Sequence, residues 1–403
     1  MSELPNNFCY APFVHMYVHS NEGERVCCMT TEHSVATPDT ETNLKTRWTN
    51  EHLRNIRTEF LDNKRPDICV KCFSLEDSGG KSDRTRFADL YQDENILPNI
   101  DNGNQYGSPI DLDIRPGNLC NLACRMCGPA CSSQLQKEIK NNAIMESIMG
   151  AGNIDVTNTL DIQENIEFLL ENAEKGKRVK FLGGEPTIMP EVDKFLDILI
   201  ERDMLDVPIH FTTNLTNDNN RFIEKISKFN QITFNYSVDG IDKVVEYIRH
   251  PVKFKSINKN IITYNNLALY GEISYTIQAY NFFNLIDSIV WSNNKGVYIR
   301  PELLMYPDAL SCKSIPKIIR KKRIPVMIKL IENMDIHENL SRAQIKNKVL
   351  PVLEKIYEDE DELDPIHLAR HTKIIDKVRN QHIKDYVPEI WDFIKEDYND
   401  IRI

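Results

Sequence analysis

Short β-like runs, each followed by a stretch with helical periodicity, recur from about residue 110 to residue 306. The six runs are IDLDIR (110–115), VKFLGG (179–184), IHFTTN (209–214), ITFNYSVDG (232–240), EISYTIQAYN (272–281) and VYIRPELLMY (297–306). Strands that alternate with helices in this way form a parallel sheet with right-handed crossovers. The pattern predicts an α/β fold with a partial (β/α)6 TIM-like barrel, because the two further strands of a full eight-stranded barrel are not evident.

Composition divides the chain into three predicted regions. Residues 1–100 hold five of the ten cysteines and a hairpin-like stretch, FVHMYVHSNEGERVCCM, around an Asn-Glu-Gly turn. Residues 101–310 carry the predicted barrel, and residues 311–403 are mostly helical in pattern. We therefore expect a small cysteine-rich amino-terminal domain, a barrel domain and a helical carboxy-terminal region.

Charge and hydropathy exclude several classes of function. Hydrophobic residues make up 41% of the 403 residues, and no run approaches the roughly 18 apolar residues of a membrane-spanning helix. The 49 basic and 60 acidic residues give a net charge of -11, which argues against nucleic-acid binding. The start MSELPNNFCYAPF does not resemble a secretory signal, so we expect a cytoplasmic protein whose cysteines ligate metal and form no disulfide framework.

Three cysteines follow the first predicted strand in the spacing C-x3-C-x2-C: Cys120, Cys124 and Cys127. The loop at the carboxyl end of a strand is where such sheets bind ligands. Thiolates this close in sequence suit an iron–sulfur cluster or zinc. Cys131 is available as the fourth ligand of a zinc site, whereas three cysteines on a four-iron cluster leave one iron open.

The stretch CNLACRMC resembles the cluster-binding signature of the radical S-adenosylmethionine (radical SAM) superfamily, with Met126 where an aromatic residue is usual. Over about residues 110–280, the stretches FLGGEP, TTN and YSVDG, and an arginine in EYIRHP, match that family in the expected order. The resemblance implies that SAM is bound by Gly183, Gly184, Glu185, Asn214, Ser237 and Arg249.

The resemblance also implies cofactors and a reaction. A 4Fe-4S cluster on Cys120, Cys124 and Cys127 would bind SAM. In this family the reduced cluster cleaves SAM to a 5'-deoxyadenosyl radical, which abstracts a hydrogen from the substrate. We therefore expect an electron donor such as a flavodoxin or a ferredoxin as a partner.

The amino-terminal cysteines predict a second metal site. Cys69 and Cys72 form a C-x2-C pair, Cys27 and Cys28 end the hairpin-like stretch, and Cys9 precedes it. The arrangement resembles the twitch or SPASM auxiliary-cluster domains of radical SAM enzymes, which usually follow the barrel. It implies a second, auxiliary 4Fe-4S cluster on Cys9, Cys28, Cys69 and Cys72. Cys27 is the alternative to Cys28, because strand alternation lets only one of the two neighbouring cysteines face the cluster. Zinc on four cysteines is the alternative.

The substrate class is predicted from the same resemblance. Twitch and SPASM domains commonly accompany peptide modification, so we expect a peptide or protein side chain as the substrate. A small metabolite such as a sugar, nucleoside or amino acid is the alternative substrate, and a non-catalytic iron–sulfur or zinc protein is the alternative of another class. No role is predicted for Cys312, which stands alone in SCKS.

Overall fold

The computed structural model describes residues 4–19, 23–30, 43–92, 108–150, 164–176, 178–304 and 306–402. The strands are β1 (His15–His19), β2 (Gly23–Arg25), β3 (Asp111–Arg115), β4 (Arg178–Phe181), β5 (Ile209–Thr213), β6 (Ile232–Ser237), β7 (Tyr270–Ile277) and β8 (Tyr298–Leu303). The helices of the first 270 residues are α1 (Ala11–Val14), α2 (Leu44–Trp48), α3 (Glu51–Leu61), α4 (Val70–Asp77), α5 (Asp83–Tyr91), α6 (Ser133–Asn141), α7 (Glu146–Met149), α8 (Ile166–Lys175), α9 (Pro190–Glu201), α10 (Asn220–Ile226), α11 (Asp242–Ile248) and α12 (Phe254–Leu267). The later helices are α13 (Leu285–Asn294), α14 (Lys317–Asn333), α15 (Arg342–Glu358), α16 (Pro365–Arg379) and α17 (Pro388–Asp400).

The sheet has the strand order β2-β1-β3-β4-β5-β6-β7-β8. Strand β2 pairs antiparallel with β1, whereas the ladders β1–β3, β3–β4, β4–β5, β6–β7 and β7–β8 are parallel. The six predicted runs are β3 to β8, and helices connect them. The predicted α/β class, of the partial TIM-like type with a helical carboxy-terminal region, is confirmed.

Strand β1 is a seventh parallel strand that the sequence pattern did not assign to this sheet. The hairpin-like stretch was expected to lie in a separate amino-terminal domain, but β1 pairs with β3 in the register His15 to Asp111. Its predicted antiparallel pairing with β2 is present, and the turn residues 20–22 lie outside the described residues. Alternation along a strand reports which face is buried but not which strand lies beside it.

Contacts divide the chain into two compact units. The first consists of Met1–Gly117, Asp155–Phe211 and Glu224–Ile232, and the second consists of Asn118–Ile154, Thr212–Ile223 and Thr233–Ile403. The cysteines of the first hundred residues belong to the first unit, and the cysteine loop after β3 belongs to the second. The three domains expected from the sequence stay predictions.

In the first unit, the strands separate an apolar face from a charged one. Phe181 of β4 stacks against Phe211 of β5 and packs edge-on against Phe195 of α9, with ring centroids 5.7 and 5.5 Å apart. On the other face, Arg178 of β4 pairs with Asp111 of β3 at 2.8 Å. The period-two pattern of these strands therefore positions the packed core on one face and ion pairs on the other.

In the second unit, α16 is buried along much of its length. Ile374 and Ile375 pack with Ala123 in an apolar cluster that α6 and α7 complete. The hydroxyl of Thr372 lies 2.8 Å from that of Tyr280. Every helix in the described part of the chain is too short or too polar to cross a membrane.

The buried His371 of α16 predicts a pH dependence of stability. Its Nε2 lies 3.3 Å from the carbonyl oxygen of Arg125. Burial, together with the nearby Arg125 and Arg379 guanidinium groups, lowers the pKa of His371 to about 4. As the pH falls below about 6.5 the unfolded chain binds the proton first, so the free energy of unfolding should decrease down to pH 4, by at most about 1.4 kcal/mol per pH unit.

A His371→Gln variant should therefore lose less stability between pH 7 and pH 5 than the parent protein. Urea unfolding at the two pH values measures this difference, and other titrating groups cancel in the comparison. Equal losses in the two proteins would contradict the assignment.

Candidate metal centres

The loop after β3 carries Cys120, Cys124, Cys127 and Cys131, of which Cys124 is buried and the others are partly exposed. Ser133, the first residue of α6, closes the base of the loop. Its backbone N–H donates to the carbonyl of Asn118 at 2.7 Å, and its hydroxyl accepts from the backbone N–H of Cys120 at 3.1 Å. The start of α6 therefore holds the first cysteine of the predicted set.

The segment after α11 holds the middle of the loop. The backbone N–H of Ala123 donates to the carbonyl of His250 at 2.7 Å, and that of Arg125 donates to the carbonyl of Ile248 at 2.8 Å. These two bonds lie on either side of Cys124. They fix the backbone from which its thiol projects.

The end of β5 is bonded to the same loop. The side-chain amide of Asn214 donates to Asn121 Oδ1 at 3.0 Å, and the amide of Asn121 donates to Thr216 Oγ1 at 2.8 Å. Asn214 was predicted to contact SAM, and that role stays a prediction. What the structure adds is that Asn214 contacts a residue between the first two cysteines.

The thiols of the loop lie close enough to influence one another. Burial raises the pKa of the Cys124 thiol. The pKa of Cys127 is raised well above its usual range, first by a hydrogen bond with the Cys131 thiol and then by burial. Cys131 therefore adjoins Cys127. Protonated thiols must release their protons when a metal binds.

Arg249 lies against the second cysteine of the set. Its Nη1 donates to Cys124 Sγ at 3.9 Å, and its Nη2 pairs with Asp239 Oδ2 at 2.6 Å. Asp239 is fully buried and also accepts from the backbone N–H of Thr276 at 2.7 Å. The arginine predicted to meet the SAM carboxylate is thus held by a carboxylate of this chain, beside a predicted metal ligand.

The glycine pair of FLGGEP lies in the first unit. At the first of the two glycines, the close approach of the neighbouring strand end leaves no room for a side chain. Gly183 has a φ of +125°, and a Cβ there would lie 2.8 Å from Arg115 Cγ and 2.9 Å from the Gly117 carbonyl oxygen. The backbone N–H of Gly184 donates to the same carbonyl at 3.4 Å. Any side chain at position 183 would therefore push the strand ends apart.

Glu185 follows the glycine pair and is buried. Its Oε1 accepts from the backbone N–H of Thr187 at 3.2 Å and from its hydroxyl at 2.6 Å. This side chain therefore caps the short helix Pro186–Ile188. Ser237, the last residue of β6, is half-buried opposite Ser274 of β7. Contacts of Glu185 and Ser237 with SAM stay predictions.

Four amino-terminal cysteines line one cavity in the first unit: Cys9, Cys27, Cys69 and Cys72. Cys9 precedes α1, Cys27 follows β2, and the other two lie at the start of α4. Burial raises the pKa of Cys9, Cys27 and Cys69, and the neighbouring thiols raise each of them further. Thiolates that destabilise one another are stabilised by a cationic metal centre, so this donor set fits one.

The structure places Cys27, not the predicted Cys28, with the other three cysteines. Cys28 is exposed, and the charged groups that influence its thiol include Asp83, Asp113 and Lys180. The expectation that neighbouring side chains point to different sides is consistent with this arrangement. No local signal in the sequence distinguishes the two cysteines, because they are adjacent and both lie within three residues of the end of β2.

A further group of potential ligands, His15, Asp111 and Asp113, lies buried within 4.8 Å in the first unit. Arg178 contacts both carboxylates, and Lys180 lies 3.4 Å from Asp113. Two cations therefore balance two carboxylates without a metal ion. The group lies at the start of β1 and in the first half of β3, away from the strand ends that bind ligands in such folds.

Sequence reasoning did not identify the residues that hold the cysteine loop from a distance. Arg125, between two cysteines of the set, pairs with Asp376 of α16, 251 residues away. Arg379 donates to the carbonyl of Ala123 at 2.7 Å. The signal available in the sequence was the arginine between Cys124 and Cys127, since an arginine that becomes buried there requires a partner.

Several solved structures are similar to this chain. The structure of Streptococcus suis SuiB bound to S-adenosylmethionine is 17% identical, covers 70% of this chain and 59% of its own, and has a TM-score of 0.40. SuiB bound to precursor peptide SuiA is 18% identical, with coverages of 68% and 62% and a TM-score of 0.40. Native anSMEcpe with bound AdoMet is 14% identical, with coverages of 54% and 59% and a TM-score of 0.40.

The chain thus spans about three fifths of the length of these structures. None of the curated proteins matches it. Residues 114–268 match the model of the Radical SAM superfamily, and this range contains the loop of Cys120, Cys124 and Cys127. This part of the chain is therefore similar to the Radical SAM superfamily.

Proposed function

We propose that this protein is a radical SAM enzyme in which Cys120, Cys124 and Cys127 hold a 4Fe-4S cluster that binds SAM. The observation that carries the proposal is the three-cysteine loop, which lies within the matched domain and is hydrogen-bonded on both sides of Cys124. When bound, the cluster and SAM supply hydrogen abstraction from a substrate through a 5'-deoxyadenosyl radical.

The residues of this chain prepare the loop for such a cofactor. The positively charged guanidinium of Arg249 lies against Cys124 Sγ, and Asp239 holds it in that position. Hydrogen bonds and charge at the ligand sulfurs influence the reduction potential of a cluster. Gly183 and Gly184, followed by Glu185, supply the backbone and carboxylate groups that we assign to SAM binding, with Asn214 and Ser237.

A second reading is a non-catalytic site of four cysteines, which the hydrogen bond between Cys127 and Cys131 favours. A single zinc ion with bonds of 2.3 Å would bring its sulfur ligands to about 3.8 Å from one another. Among the described residues, no three cysteine sulfurs lie mutually within 4.8 Å. A zinc site would therefore require the sulfurs of this loop to move closer together.

The reduced protein should cleave SAM. Under anaerobic conditions with dithionite, the reconstituted full-length chain should yield 5'-deoxyadenosine, measured by chromatography. Cys124→Ala should reduce the yield to that of a protein-free sample, because a cluster ligand is lost. Cys312→Ala, which removes a cysteine far along the chain from the loop, is the matched control and should keep the yield. No 5'-deoxyadenosine from the parent protein would defeat the proposal.

Cys131→Ala separates the two readings of the loop. A three-cysteine cluster should survive the change, with iron and sulfide per protein equal to the parent. A four-cysteine site should lose its metal. We expect retention, and we would abandon the three-cysteine assignment if both iron and sulfide from this loop disappeared.

We further propose an auxiliary 4Fe-4S cluster on Cys9, Cys27, Cys69 and Cys72, with Cys27 in place of Cys28. The shared cavity and the mutual effect of the thiols on their pKa values support it. Arg84 of α5 lines the same cavity and forms an ion pair with Glu76. Its Nη1 also donates to the carbonyl of Phe8 at 2.9 Å. Its charge would stabilise the anionic thiolates.

Metal content of serine variants tests this ligand set. In a full-length background with Cys120→Ala, Cys124→Ala and Cys127→Ala, Cys27→Ser should lose iron and sulfide, whereas Cys28→Ser should keep both. Loss in Cys28→Ser with retention in Cys27→Ser would reverse the assignment. Zinc without sulfide in the background protein would rule out the auxiliary cluster.

The substrate and partners are proposed by resemblance. An auxiliary-cluster cysteine set accompanies peptide modification in the superfamily, so we propose a peptide or protein side chain as the substrate, with a small metabolite as the alternative. A flavodoxin or ferredoxin would supply the electron. A cytoplasmic location would keep the ten cysteines reduced.

A further inference from the structure

We propose that α16 holds the cysteine loop in position, with Asp376 and Arg379 as the positioning residues. The inference rests on the proposed function, because it concerns the loop to which the cluster is assigned. Helix α16 lies outside residues 114–268, the range of the Radical SAM domain. A helix outside this range would thus determine the positions of the cysteine side chains.

The first contact is made by the side chain of Arg125, which stands between Cys124 and Cys127 and is completely buried. Its Nη2 donates to Asp376 Oδ1 at 2.6 Å and to Gln381 Oε1 at 2.9 Å. Its Nε donates to the carbonyl of Tyr247 at 3.0 Å, and its guanidinium carbon lies 3.5 Å from the centre of the Tyr247 ring. The loop is therefore anchored through a cation that has no contact with water.

Asp376 is the common acceptor of this network. Oδ1 accepts from the Tyr247 hydroxyl at 2.7 Å as well as from Arg125, and Oδ2 accepts from the backbone N–H of Ile383 at 2.9 Å and the Tyr398 hydroxyl at 3.2 Å. Removing one partner of a buried charge pair strongly destabilises the other, because a charge is left uncompensated. Neutralising Asp376 should therefore release Arg125 and the loop.

Arg379 and His371 bind the backbone of the loop itself. Arg379 Nη2 donates to the carbonyl of Ala123 at 2.7 Å, and Glu138 of α6 holds the guanidinium through two bonds of 2.7 and 2.9 Å. His371 Nε2 lies 3.3 Å from the carbonyl of Arg125. The carbonyls on both sides of Cys124 therefore contact α16.

The N–H groups of the same two residues are bonded to the segment after α11, as described above. Ala123 and Arg125 thus have both backbone polar groups paired, and Cys124 lies between them. Apolar packing adds to this, since Ile374, Ile375 and Val378 form a cluster with Ala123 into which Cys127 also packs. The direction of the Cys124 thiol is consequently set by two elements, of which α16 is one.

Hydrogen exchange of the full-length, metal-free protein tests the positioning role. We expect the amides of Ala123 and Arg125 to exchange about tenfold faster or more in Asp376→Asn and in Arg379→Met, because a hydrogen bond to a charged group contributes about 1.4 kcal/mol or more. Arg370→Ala is the matched control, since it removes an exposed arginine from the same helix. Its exchange at the two amides should equal that of the parent.

A readout at the cluster separates positioning from general stability. In the reconstituted protein, Asp376→Asn should shift the midpoint potential to more positive values, because the charge of Arg125 is left unmatched near the cluster. The electron paramagnetic resonance signal of the reduced cluster should change with it. Arg379→Lys keeps one donor for the Ala123 carbonyl and should restore part of the protection that Arg379→Met removes.

Unchanged exchange at Ala123 and Arg125 in folded Asp376→Asn and Arg379→Met would overturn the proposal, as would an unchanged potential and spectrum in Asp376→Asn. If Asp376→Asn does not fold, the comparison of Arg379→Met with Arg379→Lys decides it. Faster loop exchange in the variants of a protein that binds no iron would support the positioning role and refute the proposed function.

Discussion

The buried ion pair between Arg125 and Asp376 is the interaction on which the cysteine loop depends. An arginine without access to water is costly unless its charge is compensated, and Arg125 has a carboxylate, an amide, a carbonyl and an aromatic ring around it. Because its carboxylate partner lies 251 residues further along the chain, the arrangement of the loop requires α16 to be in place.

Much of the fold followed from the hydrophobic pattern, and so did the position of the cysteine loop. The six strands β3 to β8 were predicted because alternating and continuous apolar runs are local signals. Strand β1 was expected elsewhere, because its pairing with β3 depends on a partner almost a hundred residues away. The helical character of the carboxy-terminal region was evident, whereas its contact with the cysteine loop was not.

For the candidate ligands, too, local spacing was predictable from the sequence and contacts between distant residues were not. The spacing of Cys120, Cys124 and Cys127 is a local property and was evident, whereas the choice between Cys27 and Cys28 depends on where a strand ends relative to α4. Arg249 was chosen for a ligand carboxylate, and its pairing with Asp239 could not be predicted from the spacing of the two residues. In each case the sequence indicated which type of residue serves the site. Which residue contacts it depends on the fold, because the partner is distant in sequence.

We propose that a cluster on the three-cysteine loop would bind SAM directly. Electron–nuclear double resonance of the reduced full-length protein, mixed with SAM carrying a 15N-labelled amino group, tests this contact most directly. We expect a hyperfine coupling between the cluster and the labelled nitrogen, and its loss in Cys124→Ala. A reduced cluster with an unchanged spectrum and no coupling to the label would contradict it.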